Sequence, residues 1–300
     1  KHGSAIPVVA DAREALTELS QELSGYAVDA AYAKQIAEEK KTWNAIVDAS
    51  FVDQKLAKPS QSEIIGAVQA ATDPRDVLVG AAGSLPGDLH KLWRVRDPLG
   101  YHMEYAFSCM GYEIAAGLGV ARADSSRTPV VMMGDGSYLM MHTELVTAVA
   151  EGLKFIVVLV QNHGFASIGH LSEDIGSQRF GTKYRFRDKK ANNHETGDVL
   201  PVDLATNAES LGMHVIRIAE TPNAIADLSA AMKVAKAHPT ATLIHIDSDP
   251  LLYAPGGEAW WEVPIPAVST LESTQKAYAN YSEARKAQKK YLGKGASERN

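Results

Sequence analysis

The chain has 300 residues, 45% of them hydrophobic and 22% charged, with a formal net charge of -6. This is globular composition, enough for one large or two medium domains, and the acidic balance carries no nucleic-acid footprint. The single cysteine, Cys109, excludes a disulfide framework and a cysteine zinc site and fits a reducing, cytoplasmic setting; no apolar run approaches the roughly 18 residues of a membrane helix, so no membrane partner is expected.

In chain order, residues 5–10 (AIPVVA) read as a short strand, and Asp11 as the N-cap of a helix reaching about Leu23. A second helical stretch runs from about Val28 to Ser50. Pro59 breaks it, and Ser60 or Ser62 caps a third helix over SEIIGAVQAA. From Asp76 the pattern changes. DVLVGAAGS (76–84), TPVVMMGDGS (128–137), KFIVVLVQNHG (154–164), HVIRI (214–218) and TATLIHIDSD (240–249) read as five buried strands. Between them lie a small-residue helix, GYEIAAGLGVARA (111–123), a helix over 142–152 that stops at Gly152, and a helix starting near Pro222. Apolar strands alternating with helices predict an α/β fold, a doubly wound parallel sheet with helices on both faces. Residues 165–203 show little periodicity and read as a long functional loop, Trp260 and Trp261 as cover for core edges, and 271–300 as a charged helix with a frayed tail.

Ligands on such sheets bind beyond the carboxyl ends of the strands. Gly134-Asp135-Gly136-Ser137 closes one strand and Gln161-Asn162-His163-Gly164 the next, so Asp135 and Asn162 stand at the ends of two strands joined by a single crossover. The Asp135 carboxylate, the Asn162 amide oxygen and a main-chain carbonyl at Gly164 make three hard oxygen ligands, as Mg2+ requires when phosphates and water complete its shell. Main-chain N–H groups of Gly136 and Ser137 at a helix start suit an anion. The constellation describes a Mg2+-bridged diphosphate. Gly83 and Ser84, ending the first buried strand, read either as further phosphate donors or as a simple turn. The Gly117-x-Gly119 pair alone makes no dinucleotide site.

These two motifs at this interval resemble the diphosphate signature of thiamine-diphosphate enzymes, with Gln161 where that family usually has the first of two asparagines. The resemblance implies thiamine diphosphate and Mg2+ as cofactors. It places Met110, in SCMGYEIAAGLG (108–119), as the apolar prop under a bent cofactor, and the Ser108 carbonyl as acceptor from the aminopyrimidine. Gly134, which opens the first motif, and Phe165, which follows the second, belong to the same implied cofactor shell. His163 reads either as an acid/base catalytic group or as a histidine packing the cofactor pocket. Arg179, Lys183, Arg185 and Arg187 either face a polyhydroxylated substrate or are solvated.

GSLPGDLHKLWR, NHGFASIG, SQRFGTKYRFR, GDVLPVDLATNAESLG and APGGEAWWEVP, over roughly residues 75–290, are similar to one branch of that family, the ring-opening hydrolases of myo-inositol breakdown. That branch implies a cyclic 1,2-diketone substrate and 5-deoxyglucuronate as product. The alternatives are another enzyme of the cofactor class, of acetolactate synthase or 2-oxoacid decarboxylase type, or a non-catalytic Mg2+-diphosphate module. The resemblance divides the chain into 1–24, the tail of a central domain; 25–74, a helical linker; 75–270, the diphosphate-binding domain; and 271–300. It implies a homo-oligomer. The pyrimidine-binding domain, with the glutamate that activates the cofactor, is expected from the rest of a longer polypeptide or from another chain.

Overall fold

A computed structural model describes residues 7–179, 181–257 and 262–287. They divide into two compact units, 7–45 with 262–287 and 46–257. In chain order the helices are α1 (Ala12–Glu22), α2 (Ala30–Ser50), α3 (Gln61–Ala71), α4 (Ser84–Leu92), α5 (Tyr112–Ala123), α6 (Asp135–Met140), α7 (Glu144–Ala150), α8 (Ala166–Asp174), α9 (Leu204–Ser210), α10 (Ala224–Ala237) and α11 (Glu272–Ala287). The strands are β1 (Val77–Gly80), β2 (Tyr101–Met103), β3 (Pro129–Gly134), β4 (Ile156–Gln161), β5 (His214–Arg217) and β6 (Thr242–Asp247).

The first unit holds α1, most of α2 and α11. The Asp11 carboxylate caps α1 by accepting from the N–H groups of Arg13 and Glu14, at 3.0 and 3.3 Å. In the second unit Ser60 and Glu63 cap α3 reciprocally: Glu63 N–H donates to Ser60 Oγ at 3.2 Å, and Ser60 N–H to Glu63 Oε2 at 2.8 Å. Such a box satisfies two otherwise orphaned donors.

Six strands, all parallel, run in the order β2-β1-β3-β4-β6-β5. Side chains alternate across the sheet, as period two requires. Val79, Val131, Met133, Val157, Leu159 and Leu243 point into one buried layer shared with Ile114 of α5, Leu145 of α7 and Leu204 of α9. The other face carries α3, α4 and α10, with α10 packed on α3 and β6. Both faces are covered, which explains why the central strands are apolar throughout rather than alternating. The chain winds from β1 to β2 in one direction and then crosses to β3 on the other side of β1. Strand order therefore reverses between β1 and β3, the place where such sheets leave a crevice.

The five expected strands are present and the doubly wound parallel class holds. The sixth, β2, escapes sequence reading because it is three residues long, half-exposed and at the sheet edge. Three corrections apply. Residues 7–10, the described part of the stretch read as an opening strand, take no regular structure. The stretch 165–203 is less irregular than its sequence implies. It begins with α8, and antiparallel bridges between Gly164 and Lys183 and between Arg185 and Val199 fold it back on the end of β4. Ile168 and Leu171 of α8 are exposed. The first buried strand ends at Gly80 rather than at 84, and Ser84 instead opens α4, Ser84–Leu92. Trp260, Trp261 and the tail from 288 lie outside the described residues, as does part of the 5–10 stretch.

The small residues of α5 have a mechanical use. A Cβ on Gly117 would overlap Val131 Cγ2 of β3, whereas one on Gly119 meets nothing within 4 Å. Gly117→Ala is expected to destabilise the chain by about 1–3 kcal/mol. Gly119→Ala should be neutral or stabilising by up to about 1 kcal/mol, from helix propensity. Urea denaturation of the two variants checks the contrast.

Candidate functional site

Asp135 follows the last residue of β3 and opens α6, and Asn162 follows the last residue of β4. The pairing of Gly134 with Val160 brings the two strand ends side by side. Asp135 is only 1% exposed. Its Oδ2 accepts from the main-chain N–H groups of Asn162 and Gly164 at 3.2 and 3.1 Å, and its Oδ1 from Gly136 N–H at 2.9 Å. Burial pushes this carboxyl up to about 6, although the N–H groups of Gly164, Gly136, Asn162 and His163 favour its charged form. The Asn162 Oδ1 atom is buried and has no hydrogen-bond partner. A desolvated carboxylate and an unpartnered amide oxygen on the same turn are hard oxygen donors that could hold a cation. Among the described residues no three His, Cys, Asp or Glu side chains cluster to hold a metal.

These donors border a cavity of about 270 Å³. Gly83, Ser84, Ser108, Met110, Gly134, Asp135, Gly136, Ser137, Asn162, Gly164 and Phe165 all line it, drawn from the ends of β1, β3 and β4 and the turn before α5. It lies over the reversal point of the sheet. Ser108 has a left-handed backbone, φ 51°, and its hydroxyl donates to the Ala81 carbonyl at 3.1 Å. A Cβ on Gly136 would come within 3.0 Å of both Met110 Cε and the Phe165 ring, so glycine keeps that wall thin.

His163 is placed differently. Its backbone shares the turn, in a left-handed conformation at φ 58°, but its ring lines a second cavity of about 680 Å³. A left-handed non-glycine residue costs about 1–2 kcal/mol, so its surroundings must hold it. They do: His163 Nε2 lies 2.7 Å from Asp247 Oδ1, and Nδ1 3.0 Å from Gln161 Nε2. Asn162 and Gly164 line both cavities. Arg179, Lys183 and Arg185 also border the second one, while Arg187 is exposed and bonds Asn192. Arg179 is buried against Glu173 and Tyr253 rather than solvated.

Several residues of the site carried no legible sequence signal. Glu113 of α5 is wholly buried; its Oε1 accepts from Ala82 N–H at 3.2 Å and its Oε2 from Gly111 N–H at 2.9 Å. Burial raises its pKa, and the hydrogen bond from Ser137 is among those opposing that rise. It thus pins together the end of β1, the start of α5 and α6. A lone glutamate among glycines and alanines in GYEIAAGLG is the signal that could have found it. Gln61 lines the first cavity, and its Oε1 accepts from Ser84 Oγ at 3.0 Å. The Tyr184 hydroxyl, in the second cavity's lining, is buried without a partner, and burial and the Asp135 charge raise its pKa.

A parallel sheet with a buried acid and an amide at adjoining strand ends, above the reversal of strand order, defines a diphosphate-binding domain of the α/β class. Residues 81–246 match the family model described as "Thiamine pyrophosphate enzyme, C-terminal TPP binding domain", and the chain belongs to that family. It is similar to 3D-(3,5/4)-trihydroxycyclohexane-1,2-dione hydrolase 2 of Bacillus cereus strain ZK, 36% identical over 298 residues that cover 91% of this chain and 46% of that protein. The hydrolase of Geobacillus thermodenitrificans (strain NG80-2) is also 36% identical, over 310 residues covering 96% of this chain and 47% of its own length. The chain thus spans about half the length of the curated relatives it matches. In fold it is similar to 4-hydroxybenzoylformate decarboxylase of Rhodococcus jostii RHA1, with a TM-score of 0.53 at 19% identity, over 64% of this chain and 33% of that one. Benzoylformate decarboxylase of Polynucleobacter necessarius gives 0.51 at 18% identity, over 64% and 33%. No helix among the described residues is long and apolar enough to cross a membrane.

Asp135 has an ordinary value of 3.8 and titrates at about 6 in the fold. Between these values the folded chain binds more protons than the unfolded one. Its contribution to stability is therefore full below about pH 4 and is lost as pH rises through about 6, by on the order of 3 kcal/mol. Metal-free Asp135→Ala is expected to lack that loss. Urea denaturation of both chains from about pH 4 to pH 7 measures the difference in slope.

Proposed function

We propose that this chain is the thiamine-diphosphate- and Mg2+-binding part of a hydrolase that opens a ring by cleaving the C–C bond of a cyclic 1,2-diketone. The substrate is trihydroxycyclohexane-1,2-dione and the product 5-deoxyglucuronate, in myo-inositol breakdown. The observation that carries the cofactor is that one cavity is lined by both the buried Asp135, whose carboxylate accepts from Asn162 N–H, and Asn162, whose Oδ1 has no partner. The substrate rests on similarity to proteins named trihydroxycyclohexanedione hydrolases.

Bound there, thiamine diphosphate supplies a nucleophilic carbon and an electron sink for C–C cleavage. Asp135, Asn162 Oδ1 and the Gly164 carbonyl would hold Mg2+, which would neutralise the charge of the diphosphate. The main chain of Gly134, Gly136 and Ser137, with Gly83 and Ser84, receives the phosphate oxygens. Met110 and Phe165 of the cavity lining would pack against the bound cofactor, and the Ser108 carbonyl would accept from its aminopyrimidine. His163 turns both ring nitrogens to protein partners, so its part is to shape the turn rather than to move a proton at the substrate.

The glutamate that activates the cofactor comes from a pyrimidine-binding domain elsewhere in a longer polypeptide or in another chain. Met110 and Ile168 of the lining, and Leu139, Met140 and Met141 on and just after α6, are exposed apolar side chains suited to being covered by such a domain in a homo-oligomer.

Asp135→Ala is expected to weaken Mg2+-dependent thiamine diphosphate binding about 100-fold, some 2.7 kcal/mol. Calorimetry with and without Mg2+ measures this, and unchanged affinity refutes the metal assignment. The protein carrying both halves is expected to turn over the cyclic dione and not pyruvate, and the 300-residue chain alone to be inactive on either. Steady-state assays on the two proteins decide; pyruvate turnover without dione turnover sinks the substrate assignment.

A further inference from the structure

The turn that presents Asn162 and Gly164 is braced from the side away from the first cavity. Gln161 and Asp247 are register partners at the ends of β4 and β6, and His245 pairs with Leu159 two residues earlier, so all three polar side chains stand on one face of the sheet. Gln161 is 3% exposed, yet it is fully occupied. Its Oε1 accepts from His245 Nε2 at 2.8 Å, while its Nε2 faces His163 Nδ1 at 3.0 Å and the Val202 carbonyl at 3.5 Å. A carbonyl accepts only, which sets the amide this way round. His163 Nδ1 is then an acceptor, and the ring proton sits on Nε2, donated to Asp247 Oδ1 at 2.7 Å. Lys58 Nζ stands 3.9 Å from the same oxygen.

We infer that Gln161, His163 and Asp247 form a side-chain clamp that sets the turn carrying the Asn162 amide and the Gly164 main chain, which makes Gln161 and Asp247 positioning residues for the divalent-cation site. The inference rests on the reading of Asp135 and Asn162 as cation donors. His163 occupies a left-handed conformation that few side chains hold unaided, and it lies between the two donors on the turn. Fixing both nitrogens of its ring fixes the direction in which the Asn162 amide leaves the strand. Gln161 does this from within the same strand and Asp247 from the neighbouring one. The clamp therefore ties the cation site to the β4–β6 pairing, on the side opposite β3. Neither residue lines the first cavity, so neither touches the cation or the diphosphate.

Mg2+ titrated calorimetrically into the 300-residue chain in the presence of thiamine diphosphate is the test, with metal-free melting temperature as a second readout. Asp135→Ala serves as the reference for loss of the donor. Asp247→Ala and Gln161→Leu are expected to weaken Mg2+ binding about tenfold or more, as losses of ligand-orienting groups do. Asp247→Asn keeps an oxygen acceptor for His163 and is expected to stay within a factor of about three of the parent. It also keeps the test open should the alanine variant fail to fold. Parent-like affinity in both Asp247→Ala and Gln161→Leu overturns the clamp while leaving the cation reading intact. Equal weakening in Asp247→Asn and Asp247→Ala overturns the hydrogen-bond basis of the clamp. A parent chain that takes up Mg2+ no better than Asp135→Ala overturns the cation reading itself.

Discussion

A carboxylate buried at the carboxyl end of a parallel strand and bonded by main-chain N–H groups of the next strand's turn is the constraint around which this site is built. Desolvation opposes the charge on Asp135, and oriented N–H dipoles favour it without cancelling that cost. On the same turn the Asn162 Oδ1 atom is likewise buried and has no hydrogen-bond partner. The arrangement exists because β3 and β4 are adjacent and parallel, with their ends level. A crossover connection delivers that adjacency, and the apolar runs VVMM and IVVLV hold it in the core.

From that point the surrounding structure is a set of supports. Glu113, itself buried, ties the start of α5 to the end of β1 and to Ser137. Gln61 holds Ser84 from the start of α3 and reaches Asp88 on α4 at 2.5 Å. Asp247 stays below the ordinary carboxylate range: burial raises it, but the hydrogen bond from His163 and the nearby Lys58 ammonium are among the interactions that outweigh that. The donors are thus held from both flanks, by α5 and β1 on one side and by β6 on the other. The stretch after α8 closes the far side, where the Gly164–Lys183 bridge is made by Phe165 N–H donating to Thr182 and Tyr184 N–H to His163. The same bridge brings Tyr184 and Arg185 to the second cavity. A segment with little sequence periodicity thereby becomes part of the site's wall.

The class of fold and the places where chemistry could occur were legible along the chain because both are local. Continuous apolar runs bounded by glycine and polar residues mark buried strands whatever their neighbours are. GDGS and QNHG sit at the ends of two such runs, one crossover apart, so their meeting needed no distant information. β2 was not legible, since three half-exposed residues leave no pattern. The contacts of His163 were not legible either. Its position in the motif says it is near Asn162, but the direction of its ring depends on a left-handed backbone and on Asp247, 84 residues away.

By itself the sequence determined a parallel sheet covered on both faces, the carboxylate and amide at its strand ends, and the family signature they form. Periodicity and short-range spacing are properties of neighbouring residues. Only the tertiary structure decided which buried polar groups are satisfied and which are left open. Register across β4 and β6 made Gln161, His163, His245 and Asp247 one network, and the same packing left Asn162 Oδ1 without a partner. Burial and hydrogen-bond satisfaction arise from the meeting of distant segments, and no local pattern encodes them.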